Sequence, residues 1–266
     1  MDKIGGRAKT DLPDLLVHAD RALKLAQGMS KSVSYSEDDN FGFVALCFLH
    51  KQMEHAHSIK LLVDEGLGRD AQLVARAMQE TLASLLWIAQ QPLDRASQWR
   101  GFVYVEDWRL MQQQLDAGEV IDPTTAEAIS AYLDKHGKDF QAQTPRKPGQ
   151  GGNNLSVDDP YYPHWRGSTK IYEIFQEVGG KLLYQEIYGA FSDWIHAGPK
   201  GMGAAIHREN KIVTWKHADS STNALVLATS FQCLMQILPV VDQHFAMSFG
   251  DKIRGLRSEY IARFVP

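Results

Sequence analysis

One segment near the C-terminus limits the folds open to this chain more than any other feature. The residues from Ser220 to Val241 include no Asp, Glu, Lys or Arg. A helix of this kind either crosses a membrane or is buried on all sides in a protein core. The segment also contains polar residues and a proline, namely Thr229, Ser230, Gln232, Gln236 and Pro239. Because no basic cluster flanks it closely, we predict the central helix of a bundle in a cytoplasmic protein with no membrane partner.

Most of the remaining chain has apolar residues at helical spacing. The first predicted helix shows the pattern at Leu12, Leu15, Leu16, Ala19, Leu23 and Ala26. Further helices are predicted to start near Asn40, Asp70, Asp94 and Pro123, where capping residues precede apolar periodicity. No set of strands large enough for a sheet is present. We therefore predict an all-α protein, an irregular multi-helix bundle with little or no β-structure, folded as a single domain over residues 1–266.

A proline- and glycine-rich segment interrupts the helical pattern between residues 141 and 165. It contains the run GQGGNN and four of the ten prolines. Long segments without regular structure are uncommon in compact domains, and they usually form lids, binding loops or disordered tethers. We predict that residues 141–165 form one long flexible loop or lid within the helical domain.

Composition limits the classes of partner. The formal net charge is -4 and the pI is about 6.2, whereas proteins that hold a nucleic-acid backbone usually have a basic excess. This balance argues against a nucleic-acid partner.

The two cysteines, Cys47 and Cys233, lie inside apolar runs, which is typical of buried thiols in a reducing compartment. The N-terminal residues lack the apolar core of a secretory signal.

The most informative polar pattern is a series of four residues spaced by four, Tyr184, Tyr188, Ser192 and His196, on one predicted helix. Each step advances the series by about 40° around the helix, so it borders the apolar face. Hydroxyl groups and an imidazole in a row can donate to an anionic or carbonyl ligand, and His196 suits acid–base chemistry near neutral pH. The alternative is a boundary stripe whose polar tips bind neighbouring helices and water.

Two further pairs are candidate ligand-binding residues. Arg76 and Glu80 are four residues apart on the third predicted helix. They form either a weak surface ion pair or, where a second helix covers them, a half-buried pair that orients a ligand or a histidine. Trp165 and Arg166 lie at the end of the long loop, where an aromatic residue beside a cation suits ligand stacking or packing of the loop.

The second predicted helix contains a metal-binding spacing, but its side chains lie on the face directed away from the core. His50, Glu54 and His57 include the Glu-x-x-His spacing that di-iron helical bundles use. Glu54 and His57 lie largely opposite the apolar face of their helix, whereas bundle-core ligands must project inward. We therefore predict no metal site and no cofactor.

Two blocks of sequence carry a family resemblance. The first is GLGRDAQLVARAMQETLASLLWI, from Gly66 to Ile88, and the second is Trp165-Arg166-Gly167 followed by the series from Tyr184 to His196. Together they resemble a family of bacterial helical proteins, domain of unknown function 5677. The resemblance implies a helical fold, a cytoplasmic bacterial setting and no established reaction. It also implies that the family shares the polar positions Arg76, Glu80, Tyr188, Ser192 and His196.

These observations favour a binding or interaction module with a polar pocket between the third helix and the helix that ends at His196. The ligand would be small and anionic or nucleotide-like. The residues expected to bind it are Arg76, Tyr184, Tyr188, Ser192, Trp165 and Arg166. One alternative is a hydrolase or nuclease-like enzyme in which His196 is the general base and Glu80 assists it. Another is a homo-oligomer in which all these contacts are structural, and the sequence does not decide among the three.

Overall fold

The structure is a computed structural model that describes residues 12–150, 154–196, 198–203, 205–215 and 220–265. It describes no side chain at positions 186, 187, 190, 193, 195 and 200. Helical residues make up 72% of the described chain, and its strands form two small two-stranded sheets. The prediction of a predominantly all-α protein is therefore confirmed.

The elements follow one another along the described chain in this order. The first half contains α1 (Leu12–Ser30), α2 (Asn40–Asp64), α3 (Gly68–Gln90), α4 (Pro92–Gly101), α5 (Val103–Asp116), α6 (Pro123–His136), a 3-10 turn (Gly137–Phe140) and β1 (Gln141–Arg146). The second half contains β2 (Asp159–Tyr161), α7 (Ile171–Glu177), α8 (Lys181–Leu183), a π-helical segment (Tyr184–Tyr188), α9 (Gly189–Ile195), α10 (Pro199–Gly203), β3 (Ile206–Glu209), β4 (Ile212–Trp215), α11 (Ser220–Phe245) and α12 (Gly250–Phe264).

Contacts between residues divide the chain into two compact units. Unit 1 comprises residues 1–89 and 174–266, and unit 2 comprises residues 90–173. Unit 1 therefore contains α1, α2, almost all of α3, α11 and α12 together with the segment from Ile174 in α7 to β4. Unit 2 contains α4, α5, α6, the β1–β2 pair and the first three residues of α7. The prediction of a single domain over residues 1–266 stays a prediction.

Helix α11, which contains the uncharged segment Ser220–Val241, lies in the core of unit 1. It packs against α1 and α2, and its fully or almost fully buried side chains include Val226, Leu227, Phe231, Leu234 and Leu238. By length and composition α11 is also apolar enough to cross a membrane, and 67% of its most apolar stretch is buried within the structure. Such burial is what the core helix of a bundle requires. The cytoplasmic location and the absence of a membrane partner stay predictions.

Two of the four predicted helix starts follow the capping chemistry that the sequence indicates, whereas Asp70 and Asp94 each lie at the third residue of their helix. Asp39 precedes α2 and its side chain accepts a hydrogen bond from the Gly42 N–H at 2.8 Å. Asp122 precedes α6 and accepts from the Thr125 N–H at 2.9 Å, with Pro123 at the first helical position. Both caps satisfy backbone donors that have no partner within the helix.

The helix predicted to start near Asp94 is interrupted in unit 2. It consists of α4 and α5, and Phe102 between them is only 4% exposed because it enters the core of the unit. Gly101 permits this close packing: a Cβ atom at this position would lie 2.1 Å from the Tyr132 hydroxyl. The core around Phe102 consists of Val105, Ile129, Leu133, Phe140 and Tyr161.

The segment 141–165, predicted to be a loop without regular structure, contains an antiparallel strand pair. Gln141 pairs with Tyr161, and Arg146 pairs with Asp159, with an irregular register between them. The loop prediction is therefore wrong for β1 and β2. The physical reason is Asp159: its carboxylate has no exposed surface and binds two arginines, which fix both strands. A lid function for the segment stays a prediction.

The region 198–215 has more regular structure than the sequence indicates. It forms the short helix α10 and the hairpin β3–β4, whose pairing runs from Ile206 with Trp215 to Glu209 with Ile212. The connecting residues Asn210 and Lys211 have φ values of 49° and 65°, as tight hairpin turns require.

Candidate functional site

One face of α3 makes polar contacts with residues 174–194, and the two segments run antiparallel within unit 1. Near the start of α3, the Trp194 indole donates to Asp70 at 3.5 Å. Near its end, the Trp87 indole donates to Glu177 at 2.6 Å. Between these two ends lie the contacts of Arg76, Glu80 and Tyr188, which are candidate site residues in the sequence. The face is therefore covered by a second segment along most of its length.

The central contact joins the two residues of the Arg76–Glu80 pair through a tyrosine. Arg76 Nη2 donates to the Tyr188 hydroxyl at 2.8 Å, and this hydroxyl donates to Glu80 Oε2 at 3.3 Å. The Arg76 guanidinium carbon also lies 4.5 Å from the centroid of the Tyr188 ring. Since an arginine has donors only, the hydroxyl proton must point to the glutamate. The hydrogen-bond direction is thus fixed.

Aromatic rings support Tyr188 and bury it. Tyr184 stacks on Tyr188 with ring centroids 4.8 Å apart and planes 18° apart. The Phe175 ring lies 5.2 Å from Tyr184 and 5.4 Å from Tyr188. As a result Tyr188 is only 5% exposed. We call Arg76, Glu80, Tyr184 and Tyr188 the Arg76 cluster.

The tyrosines of the cluster lie on a π-helical turn where the sequence predicts a continuous α-helix. The Gly189 N–H donates to the Tyr184 carbonyl, five residues back. Single π-turns inside helices are rare and frequently occur at functional sites. No spacing or residue type in the sequence indicates this turn.

The electrostatic environment of Tyr188 keeps its hydroxyl protonated. Burial raises the pKa of Tyr188 above its ordinary value, and the Glu80 carboxylate raises it further. The hydrogen bond and positive charge of Arg76 act on this pKa in the opposite direction. The neutral phenol is therefore the form that connects the two charged groups near neutral pH.

Two polar side chains of α3 are buried without complete hydrogen bonding to the described residues. Arg76 Nε has no hydrogen-bond partner, although its atom is buried. Gln79, three residues further along α3, is only 1% exposed, and neither atom of its amide has a partner. Buried polar groups are rarely left in this state, so each one calls for a water, a ligand or another partner.

The remaining two members of the four-residue series take no part in the Arg76 cluster. The Ser192 hydroxyl donates to the Tyr188 carbonyl at 2.8 Å, which commits its proton to the helix backbone. His196 follows α9, is exposed, and lies about 12 Å further along the helix than Tyr188. Among the described residues, its ring has no hydrogen bond or ion pair with Glu80. Its role as a general base stays a prediction.

Trp165 and Arg166 belong to unit 2. Trp165 is half-buried and packs against the core of that unit, and Arg166 Nε donates to the Thr169 carbonyl at 2.9 Å. Both side chains thus have local packing or hydrogen-bonding roles. Their expected contribution to ligand binding stays a prediction.

In the part of the chain that the structure describes, no three His, Cys, Asp or Glu side chains come together to hold a metal ion. His50, Glu54 and His57, which carry the metal-like spacing, are all exposed. The outward direction that helical geometry predicts for Glu54 and His57 is therefore found.

Sequence reasoning did not identify Gln79 or Phe175 as part of this region. Gln79 lies among apolar residues on α3, where a polar side chain is an exception, and that exception was a usable signal. Phe175 is one apolar residue among many, so its position against two tyrosines is not visible in the sequence. The Arg76–Tyr188 contact joins residues 112 positions apart, which single-helix patterns cannot reveal.

Comparison with known proteins gives one match. The model of a family of unknown function, DUF5677, matches residues 42–212, which is more than half of the chain. A search of curated proteins found no match, and a search of solved structures found none either. The matched range includes α3 and the π-helical segment, and hence the whole Arg76 cluster. The chain therefore belongs to the DUF5677 family of unknown function.

Proposed function

We propose that the protein is a binding module and that the Arg76 cluster holds a small ligand through an acceptor group such as a carboxylate, a phosphate or a carbonyl. The observation that carries this proposal is the Arg76 Nε donor, which is buried and has no hydrogen-bond partner among the described residues. Leaving a buried donor unsatisfied costs about 1–3 kcal/mol, and more for a charged group. An acceptor atom on a ligand would recover this cost.

The cluster also supports binding because it holds the guanidinium in place before a ligand arrives. Tyr188 contacts Arg76 through its hydroxyl and through its ring. Tyr184 and Phe175 in turn restrict Tyr188 by contact with its ring. A side chain with a fixed orientation loses little conformational entropy on binding, so more of the interaction energy contributes to affinity.

Binding fits these contacts better than the hydrolase or nuclease-like alternative. A general base must come within hydrogen-bond reach of its proton and be oriented by a neighbour. The residue expected to assist His196 was Glu80, and Glu80 accepts from Tyr188 instead. The enzymatic alternative stays a prediction.

The proposal is tested by ligand-dependent stability. We would measure the melting temperature of the full chain with propionate, inorganic phosphate, adenosine monophosphate and the three aminocarboxylates glycine, 3-aminopropionate and 4-aminobutyrate, and examine the purified protein by native mass spectrometry for a bound small molecule. A ligand at a concentration of 100 times its Kd adds about 2.7 kcal/mol of stability. We expect at least one compound, or a molecule that copurifies, to stabilise the wild type.

Two variants connect the effect to the site. Arg76→Gln removes the charge and the Nε donor, and it should abolish the stabilisation. Arg257→Gln removes a charge from an exposed position of α12 and should leave the stabilisation unchanged. If no compound stabilises the wild type and no molecule copurifies, or if both variants respond equally, the proposal is wrong.

A further inference from the structure

We infer that the ligand of the Arg76 cluster is a small zwitterion that carries a carboxylate and an ammonium group, as an amino acid does. This inference rests on the proposed function, since it specifies the ligand of the same site. Its basis is the pairing of one cation and one carboxylate around the same tyrosine hydroxyl.

The charges of the Arg76 cluster limit the class of ligand. Arg76 is balanced by Glu80, so the cluster itself has no net charge. The described side chains along this face of α3 include two cations, Arg69 and Arg76. They also include three carboxylates, those of Asp70, Glu80 and Glu177. A phosphate dianion bound to Arg76 would lie close to the Glu80 carboxylate, which the same tyrosine hydroxyl joins to Arg76, and like charges close together disfavour binding.

The Arg76 cluster leaves one donor and one acceptor for a ligand. Tyr188 uses its only proton on Glu80 Oε2 and accepts from Arg76 Nη2. Arg76 Nε then remains as a donor without a partner. Glu80 Oε1 accepts no hydrogen bond from any described residue. A ligand that satisfies both groups needs an acceptor for the arginine and a donor for the glutamate.

A ligand with a carboxylate and an ammonium group can bind both atoms. A carboxylate on the ligand pairs with the guanidinium, and an ammonium pairs with the Glu80 carboxylate, so both contacts are charge-assisted. A simple carboxylate would satisfy Arg76 and make no favourable contact with Glu80. A zwitterion satisfies both and has no net charge, which matches the balanced cluster.

The experiment compares probes of graded chemistry on the full chain. Binding of glycine, 3-aminopropionate and 4-aminobutyrate would be measured by saturation-transfer NMR and calorimetry beside propionate and inorganic phosphate. The three aminocarboxylates differ in the spacing of their charges, and propionate lacks the ammonium. We expect at least one aminocarboxylate to bind about tenfold or more tightly than propionate and phosphate.

Variants then test the two halves of the site. Glu80→Gln retains the shape and removes the charge, so the preference for the aminocarboxylate over propionate should disappear. Glu65→Gln, an exposed position after α2, serves as the matched control and should retain the preference. Because the probe comparison in the wild type needs no variant, the inference remains testable even if Glu80→Gln folds poorly.

The two proposals fail in different ways. If propionate or phosphate binds as tightly as every aminocarboxylate, and Arg76→Gln abolishes that binding, the proposed function stands and the zwitterion inference is overturned. If no aminocarboxylate, propionate, phosphate or nucleotide binds and nothing copurifies, the proposed function itself fails and the inference fails with it.

Discussion

Each unit contains a polar group of arginine and carboxylate side chains, and the two groups differ in how completely the carboxylate is hydrogen-bonded. In unit 2, Asp159 has no exposed surface and accepts from Arg109 Nε at 2.9 Å and from Arg146. Its Oδ1 also accepts from the Tyr161 N–H at 3.0 Å, and Arg109 Nη2 donates to the Tyr162 carbonyl at 2.6 Å. In unit 1, the Glu80 carboxylate accepts from the Tyr188 hydroxyl at 3.3 Å and from no other described residue. A buried arginine Nε atom without a hydrogen-bond partner among the described residues is common to both groups, at Arg76 and at Arg146.

The difference separates a structural contact from a candidate binding site. The Asp159 carboxylate uses both oxygens on groups of its own unit, so it holds the β1–β2 pair against α5 and leaves little for a ligand. The Arg76 cluster has charges of both signs, fixed in orientation, with hydrogen-bonding capacity left over. Burial alone does not identify a functional site, and a carboxylate oxygen that accepts no hydrogen bond is the more informative feature.

The largest effect is expected when the unit 2 group loses its carboxylate. Asp159→Asn leaves the Arg109 and Arg146 charges without their buried anion, and breaking a buried ion pair in this way costs about 3–5 kcal/mol. Urea unfolding followed by circular dichroism measures the loss. Asp158→Asn is the matched control, because Asp158 forms an exposed pair with Lys147 and such pairs contribute little. Equal losses in the two variants would show that Asp159 does not hold the unit together.

A smaller loss is expected in unit 1 for Tyr188→Phe. The variant retains the stacked ring and removes the hydroxyl that joins Arg76 to Glu80, at an expected cost of about 1–3 kcal/mol. Tyr35→Phe, at a position that is 44% exposed, should have almost no effect. Chemical denaturation of both variants measures the difference. A Tyr188→Phe variant as stable as the wild type would mean that the hydroxyl bridge contributes nothing to the fold.

A gain in stability is expected at Gln79. Its amide is buried without a hydrogen-bond partner among the described residues. Gln79→Met removes this unsatisfied amide and retains a side chain of similar size, so it should raise the free energy of unfolding by about 1–2 kcal/mol. Gln52→Met is the contrasting variant. Gln52 Nε2 donates to the Met78 carbonyl at 2.7 Å, and only its Oε1 lacks a partner among the described residues, so this variant should be less stable than Gln79→Met. Loss of stability in Gln79→Met would indicate that the amide has a partner in solution.

The smallest effect concerns the titration of the tyrosines. Because Glu80 raises the pKa of Tyr188, Glu80→Gln should lower this pKa toward its ordinary value. Burial and Asp159 raise the pKa of Tyr161 in unit 2, and that pKa should not change in the variant. NMR of tyrosines labelled at Cζ, recorded against pH, follows both groups.

The sign of the stability effect follows from the raised pKa. The native state retains the Tyr188 proton more strongly than the unfolded chain does, so this contribution is complete below about pH 10 and is lost as the pH rises through the folded pKa. Glu80→Gln should reduce that alkaline loss. An unchanged pKa of Tyr188 in the variant would contradict the hydrogen bond to Glu80.

The sequence located several elements because their signals are local. Asp39 and Asp122 cap helices where short-range hydrogen bonding predicts them. The Arg76–Glu80 spacing placed two polar residues on one face of α3, beside its buried residues. Periodicity reports such features because neighbouring turns of one helix decide them.

The spacing of the tyrosine series was informative in part. Tyr184 and Tyr188 meet the Arg76 cluster, but Ser192 bonds to its own backbone and His196 is exposed. The prediction assumed a uniform α-helix, while a π-turn and the end of α9 decide which side chains reach α3.

The uncharged segment Ser220–Val241 shows what the sequence determined alone. A long helix without charges must be covered by apolar surroundings, and the rest of the chain supplies amphipathic helices to cover it, so the helical class follows from composition and period. Only the tertiary structure decided which polar groups meet. Arg76 and Tyr188 are 112 positions apart, and Arg109 and Asp159 are 50 apart. The physical reason is that a hydrogen bond needs two atoms within about 3 Å. The residue pattern of one helix does not indicate which distant segment of the chain packs against it.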